Sequence, residues 1–140
     1  MKEELDRKLC EDFPYIFRDR NAPMSKTCMC FGFPSDGWYK PIREICEMME
    51  KIRQRTGIVY VADQVKEKFG GLRFYFHDDR RLLQISPFRR KQWHGFMSRF
   101  VTKQELLCES ICEGCGNPAK PSNGPWIKVL CEECLKDSYK

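Results

Sequence analysis

Four cysteines near the C-terminal end have the residue type and the spacing of a metal site. They form two C-x2-C pairs separated by fifteen residues, at Cys112, Cys115, Cys131 and Cys134. Zn²⁺ prefers four ligands in a tetrahedron, and each C-x2-C turn can present two thiolate sulfurs to one ion. The spacing therefore predicts one bound zinc ion. Because four thiolates leave no open coordination position, we expect this zinc to be structural rather than catalytic.

Two other interpretations of the cysteines stay open at this point. The two pairs could instead form disulfides or a redox pair. The chain has nine cysteines, and a C-x-C pair at Cys28 and Cys30 could join Cys46 and either His77 or His94 in a second metal site. Because the spacing of this second set matches no defined zinc pattern, it is the weaker hypothesis.

The composition is that of a folded chain without membrane segments. Its 140 residues are 41% hydrophobic and 13% aromatic, which is enough for a packed core in one domain or in a small domain with an appended ribbon. No apolar run approaches the roughly 20 residues that a membrane helix needs. The charged stretch Met1–Asp6 is not followed by an apolar segment, so we expect no secretory signal and no membrane partner. These features predict a cytoplasmic protein, where reduced thiols favour a metal over disulfides.

A helix and a hairpin are predicted in the middle of the chain. Apolar residues recur at helical spacing from Ile42 to Ile52, so we expect a helix that ends before Thr56-Gly57. β-forming residues at 58–62 and strictly alternating residues at 72–77, on either side of a Gly70-Gly71 turn, predict an antiparallel hairpin. One face of the second strand is apolar, and we expect that face to pack on the helix.

A long basic-faced helix is predicted next, with Ser86 as its N-cap and Pro87 in its first turn. We expect its apolar face to comprise Trp93, Phe96, Met97, Phe100, Val101, Leu107 and Ile111. Its candidate binding residues are Arg89, Arg90, Lys91, Arg99 and Lys103. Such a basic face suits contacts with nucleic-acid phosphates, with an acidic protein surface or with solvent alone.

These elements together predict an α+β fold: a helix packed on a small antiparallel hairpin-based sheet, the long basic-faced helix and a C-terminal zinc ribbon. The predicted core domain is 1–107 and the predicted ribbon is 108–140. The ribbon has five acidic and four basic residues, a net charge of −1, so the core domain carries +6 and the whole chain +5. A ribbon of this size has too little core to be stable alone, so we expect it to dock on the long basic-faced helix through Trp126 and Leu130.

Motifs typical of enzymes are missing from the sequence. Its two histidines, His77 and His94, lie in no H-x-x-x-H or H-x-E arrangement, and no G-x-S-x-G motif or phosphate-binding P-loop is present. The neighbouring carboxylates Asp78-Asp79 and Glu132-Glu133 are adjacent in sequence and should point to different sides. We therefore predict that the protein is not an enzyme.

Several stretches resemble a family of small bacteriophage and prophage proteins with no established activity. The most specific is QVKEKFGGLRFY at Gln64–Tyr75; the others are Phe13–Phe17, Cys28–Phe33 leading into Asp36–Tyr39, and Trp126–Lys128 before the second cysteine pair. The resemblance covers nearly the whole chain and departs at Pro34-Ser35, where the family pattern has Glu-Cys. It implies a phage origin and a location in the bacterial cytoplasm, and it implies no activity.

Two functions from different classes are compatible with these observations. The leading hypothesis is a non-enzymatic, zinc-binding phage effector that binds a host bacterial protein or protein–nucleic acid complex, for example an anti-defence inhibitor of CRISPR effectors. Its basis is the implied origin and the missing catalytic groups. The alternative is a nucleic-acid-binding module that uses the basic helix on phosphates.

Overall fold

The computed structural model describes residues 1–82 and 85–138 and has the predicted α+β fold. Within these residues, a two-stranded antiparallel sheet combines with four α-helices, and a second pair of very short strands lies near the C-terminus. The elements are α1 (Glu3–Asp12), α2 (Tyr39–Thr56), β1 (Tyr60–Lys68), β2 (Gly71–Asp78), α3 (Pro87–Cys108), β3 (Lys120–Pro121), β4 (Val129–Leu130) and α4 (Glu132–Ser138). None of the helices described is long and apolar enough to cross a membrane.

Helix α2 forms where the apolar spacing predicts it. Its buried face consists of Pro41, Ile42, Ile45, Cys46, Met49 and Ile52. Gly57 ends the helix with a φ of 81°, a left-handed conformation that glycine adopts without steric cost. Its N–H donates to the carbonyl oxygen of Arg53 at 2.8 Å, which satisfies one of the last free carbonyls of the helix.

The hairpin is longer than predicted, and its turn lies one residue earlier. Strand pairing runs from Tyr60 opposite Asp78 to Lys68 opposite Gly71. Residues 64–68, which lie outside the predicted strands 58–62 and 72–77, therefore belong to β1. In the sequence this stretch looks like a loop because Val65 is its only apolar residue, and Val65 is also the only one of the five that is fully buried. The turn itself is Phe69-Gly70, and both residues have positive φ, 53° and 75°, as a two-residue type I′ turn requires.

Helix α3 begins at the predicted cap, where the Ser86 hydroxyl accepts the N–H of Arg89 at 3.3 Å. The helix packs against both α2 and β2. The predicted apolar face is partly wrong, because Phe96 and Leu107 are 39% and 44% exposed. The helix carries apolar residues on several sides, so their spacing did not define one face. The buried residues follow a strict helical spacing, at Met97, Val101, Gln104 and Cys108.

The predicted docking of the C-terminal segment through Trp126 is also wrong, because Trp126 is 79% exposed. Two other residues of this segment make the contact. Val129 is fully buried, and Ile127 packs so closely on the hairpin turn that a Cβ at Gly70 would lie 2.6 Å from its Cγ2 atom. The other predicted docking residue, Leu130, is partly buried.

Candidate metal centre

The four cysteines of the two C-x2-C pairs come together as predicted. The sulfur atoms of Cys112, Cys115, Cys131 and Cys134 all lie within 4.8 Å of one another. A tetrahedral ion with metal–sulfur bonds of about 2.3 Å places its sulfurs about 3.8 Å apart, and the Cys115 and Cys131 sulfurs are 3.6 Å apart. All nine cysteines lie in the described ranges and are free thiols. The four cysteines are therefore positioned to hold one metal ion.

Local backbone geometry shapes the cluster. Gly116 has a φ of 84°, and its N–H donates to the carbonyl oxygen of Cys112 at 3.0 Å, so the chain curls back immediately after the first pair. From the second pair, the N–H of Cys131 donates to the Cys112 sulfur at 3.3 Å. Amide donors of this kind stabilise a thiolate, which is the form that ligates a metal.

The pKa values of two thiols in the cluster are shifted in opposite directions, down for Cys112 and up for Cys134. Burial raises the pKa of Cys112, but the backbone N–H groups of Cys131, Cys115 and Gly114 outweigh this effect and lower it to about 6. The pKa of Cys134 is raised, chiefly because its thiol hydrogen-bonds to the neighbouring sulfurs of Cys131, Cys112 and Cys115. The crowded sulfurs resist full ionisation, so a cation among them is the natural counter-charge.

The first cysteine pair is tied to the core by a glycine and a tryptophan that precede α2. The indole Nε1 of Trp38 donates to the carbonyl oxygen of Ile111 at 2.9 Å, and the N–H of Gly37 donates to that of Glu113 at 2.8 Å. The two backbones approach so closely that a Cβ at Gly37 would lie 1.9 Å from the carbonyl oxygen of Cys112. The sequence analysis missed this role of Gly37, although the Asp-Gly-Trp stretch was part of the family resemblance.

Glu113 is the second residue that the sequence analysis missed. It lies between the first two cysteines, where glutamate is normally exposed, yet it is only 4% exposed. Its Oε2 accepts the N–H of Val129 at 2.7 Å, its own N–H donates to the Val129 carbonyl oxygen at 2.8 Å, and its Oε1 lies 3.8 Å from the Lys128 ammonium group. Glu113 therefore joins the two arms of the cluster. In the sequence, the only signal of this structural role is the position of Glu113 between two cysteines.

The residues of the second predicted metal site are not brought together. In the described part of the chain, the quartet is the one group of three or more potential ligands close enough to share an ion. Cys46 is fully buried in the core, Cys28 is exposed, and the thiol of Cys30 donates to the Thr27 carbonyl oxygen at 3.5 Å. His77 pairs with a carboxylate on the sheet, with its Nδ1 2.7 Å from Asp63 Oδ1.

The five predicted basic residues of α3 do not form one surface. At about 100° per residue, Arg89, Arg99 and Lys103 lie on one side of the helix and Lys91 projects from another. These four residues are exposed. The side chain of Arg90 is only 17% exposed, and its Nη1 lies 3.2 Å from Oδ2 of the buried Asp78. Three of the five residues therefore share an exposed face, and Arg90 is part of a buried ion pair.

An aromatic pair, which we call the aromatic tip, lies where the hairpin meets the metal-binding segment. Phe69 in the hairpin turn is 72% exposed and Trp126 is 79% exposed. Together with Pro125, Ile127 and Lys128 they line a small cavity of about 240 Å³. The amino group of Lys68 lies 5.8 Å from the centre of the Phe69 ring. Glu67 also lines this cavity, and its Oε2 lies 4.0 Å from the Lys128 ammonium group. The tip is thus an apolar surface flanked by charges of both signs.

No protein-family model, no curated protein and no solved structure matches this chain.

Proposed function

We propose that this protein is a non-enzymatic, zinc-stabilised binding protein that docks on another protein through the aromatic tip. Zinc is the ion that best suits four thiolates in a tetrahedron, and such closed sites hold structure rather than catalyse reactions. The ion would fix Cys112 and Cys131, and through Val129 and Ile127 it would hold Trp126 beside the hairpin turn. The metal would thus stabilise the binding surface that contains Trp126.

Phe69 is the observation that carries the proposal. It has a φ of 53°, a conformation that asparagine and glycine adopt readily and that bulky residues avoid. Holding such a residue there costs about 1–3 kcal/mol. Because its ring is 72% exposed, little burial offsets that cost. Residues that break a local rule without a structural gain concentrate at functional sites, and exposed Phe and Trp are typical anchors of protein interfaces.

Charge at the aromatic tip indicates the kind of partner. Lys68 lies beside Phe69, and Lys128 lines the cavity below Trp126. Lys128 is balanced by Glu67 at 4.0 Å and Glu113 at 3.8 Å. Lys68 is therefore the cation that would complement a carboxylate of a partner with an apolar pocket for the two rings. From the charge at the tip and the phage resemblance, we infer that the target is a bacterial host protein in the cytoplasm. The complex would act by inhibiting a host defence protein.

Affinity capture from a bacterial lysate tests the proposal. The zinc-loaded protein, Phe69→Asn and Trp126→Ala are compared with Phe88→Ala, which removes a ring that is similarly exposed, at 69%, at the start of α3. We expect the unsubstituted protein and Phe88→Ala to retain the same acidic bacterial protein after nuclease treatment. Phe69→Asn and Trp126→Ala should lose it. Equal capture by all four proteins would contradict docking through the aromatic tip.

Phe69→Asn also separates function from stability. Asparagine tolerates positive φ, so we expect this substitution to raise the free energy of unfolding by roughly 1 kcal/mol while partner capture is lost. Urea denaturation of the zinc-loaded proteins measures the change. A decrease in stability would show that the Phe69 ring contributes to the fold, and the argument from strain would fail.

Nucleic-acid binding remains the second candidate, favoured by the shared exposed face of Arg89, Arg99 and Lys103. Arg89 also lines a cavity with Arg55, Gln92, Trp93 and Phe96, so cations and rings meet there. This candidate predicts an affinity for single-stranded oligonucleotides that falls steeply with salt, with a smaller salt slope in Arg99→Ala. Binding that is insensitive to salt, or a salt slope unchanged in Arg99→Ala, would eliminate it.

A further inference from the structure

A second cavity lies at the end of the hairpin opposite the aromatic tip. It has a volume of about 440 Å³ and is lined by three cationic side chains, Arg80, Arg90 and Lys91, together with His94 and Asp78. We call it the cationic cavity. The strand register separates the two sites, because Asp78 pairs with Tyr60 at the open end of the hairpin and Gly71 pairs with Lys68 at its turn.

Positive charge in the cationic cavity exceeds the negative charge available to balance it. Asp78 is the carboxylate that lines it, and it interacts with two cations: Arg90 Nη1 lies 3.2 Å from Oδ2, and Arg80 Nε lies 3.9 Å from Oδ1. Among the described residues, no carboxylate forms an ion pair with Lys91. Next to the cavity, Asp79 is shared by Arg18 at 2.8 Å and Arg81 at 3.2 Å. Each carboxylate therefore serves two arginines.

Buried polar atoms beside this cavity also need partners. The hydroxyl of Tyr60, a residue that is 2% exposed, and the Nδ1 of His94 are buried with no hydrogen-bond partner among the described residues. The two rings are neighbours, with centroids 6.4 Å apart, and both pack on Phe76 of the cavity wall. Most buried polar groups are hydrogen-bonded. Of these two residues, His94 lines the cavity, so its unpartnered Nδ1 is an independent sign of a ligand there.

The hydroxyl of Tyr60 lies behind the cavity wall and is protonated. Burial raises the pKa of this hydroxyl, and the nearby Asp78 carboxylate raises it further, so the proton stays on the oxygen at neutral pH. Arginine and lysine side chains bind phosphate oxygens through short, charge-assisted hydrogen bonds. The cavity thus combines point charges at its mouth with a protonated hydroxyl behind its wall.

We propose that the cationic cavity binds the phosphate group of a small phosphorylated molecule. Arg80 and Lys91 contact the phosphate oxygens at the mouth, and Arg90 is held in place by Asp78 on the inner side. A terminal phosphate carries close to two negative charges, which matches the excess of cations better than the single charge of a backbone phosphodiester. The site is independent of the aromatic tip, so either one can stand without the other.

Calorimetric titration of the zinc-loaded protein with inorganic phosphate and with adenosine 5′-monophosphate, at constant ionic strength, tests the proposal. The variants are Lys91→Ala and Arg80→Ala, which change exposed side chains, and the control is Arg99→Ala, which removes an equal charge elsewhere on α3. We expect saturable binding of both probes, weakened about tenfold in the two cavity variants and unchanged in the control. An NMR titration should show phosphate shifting the ring signals of Tyr60 and His94.

Three results would overturn the proposal. One is the lack of saturable phosphate binding, and another is an equal loss of affinity in Lys91→Ala and Arg99→Ala, which would indicate general electrostatic attraction. The third comes from an oligonucleotide without a terminal phosphate. If this oligonucleotide binds and neither small probe does, the phosphates recognised are those of a nucleic-acid backbone.

Discussion

Gly37 shows how much of the metal-binding segment depends on one missing side chain. A Cβ at this position would lie 1.9 Å from the carbonyl oxygen of Cys112 and 2.7 Å from backbone atoms of Glu113. Those backbone atoms cannot move aside without disturbing the cysteine cluster. We expect Gly37→Ala to lower the free energy of unfolding by about 3 kcal/mol and to weaken metal retention, as measured by urea denaturation and by competition with a chelator.

Gly95→Ala is the matched control for this prediction. Gly95 lies inside α3, where an added Cβ would meet only the flexible end of Arg99, at 3.4 Å. Alanine is the better helix former, so this substitution should be neutral or should stabilise the protein by up to about 1 kcal/mol. If both variants behave alike, the close approach of Gly37 to Cys112 does not determine stability.

The ion pairs of Asp79 predict how the stability of the protein depends on pH. Its carboxylate accepts hydrogen bonds from Arg81 and from Arg18, which lower its pKa well below the ordinary value. An aspartate in the unfolded chain titrates near 3.9, so its contribution to stability is complete above that pH and is lost as the pH falls below it. Between pH 6 and pH 3 we expect Asp79→Asn to lose less stability than the unsubstituted protein. Loss of metal at acid pH affects both proteins, so parallel curves would contradict this role of Asp79.

At the scale of elements, the contact between α3 and β2 includes a partly buried acceptor. Glu105 Oε2 accepts the N–H of Phe74 at 2.9 Å, and burial raises the pKa of Glu105. We expect Glu105→Ala to lower the free energy of unfolding by about 1–3 kcal/mol, because it leaves a strand amide without its acceptor. Glu105→Gln keeps a side-chain carbonyl in place and should cost clearly less. Equal losses in thermal denaturation would show that the hydrogen bond is not the stabilising feature.

The sequence predicted the elements best where one side of each element is strictly apolar. Helix α2 has such a side, from Ile42 to Ile52, and its position and its end at Gly57 were predicted closely. The polar half of β1 was missed because its pairing depends on backbone hydrogen bonds to β2, which side-chain patterns do not record. On α3, Phe96 and Leu107 were placed on the wrong face because apolar residues occur all round this helix. Which side of α3 is buried depends on the elements that pack against it.

The candidate metal centre was predictable only in part, for a similar reason. The four cysteines of the cluster follow from local spacing, since two residues separate the members of each pair and ligation of one ion requires the two pairs to meet. The residues that anchor the cluster, Gly37, Trp38 and Glu113, act through contacts with residues more than fifteen positions away. No local pattern announces such contacts. The aromatic tip is similar, because Phe69 and Trp126 meet only in the folded chain.

At the scale of the whole molecule, the metal should couple the C-terminal segment to the core. Without an ion, nothing ligates the four sulfurs, which lie within 4.8 Å of one another. Removal of the metal should therefore loosen this segment and lower the melting temperature. We expect hydrogen exchange to accelerate first in the amides of 112–135. The amides of α2 and of the hairpin core should stay protected. Uniform acceleration throughout the chain would mean that the metal supports the entire fold.

The central claim is that one zinc ion is bound by Cys112, Cys115, Cys131 and Cys134, and native mass spectrometry tests it most directly. The folded protein should carry the mass of one zinc ion per chain. Cys134→Ser should lose that ion, and Cys30→Ser, which removes a thiol outside the cluster, should keep it. A folded chain without zinc, or one whose mass is reduced by the hydrogens lost in two disulfides, would contradict the account.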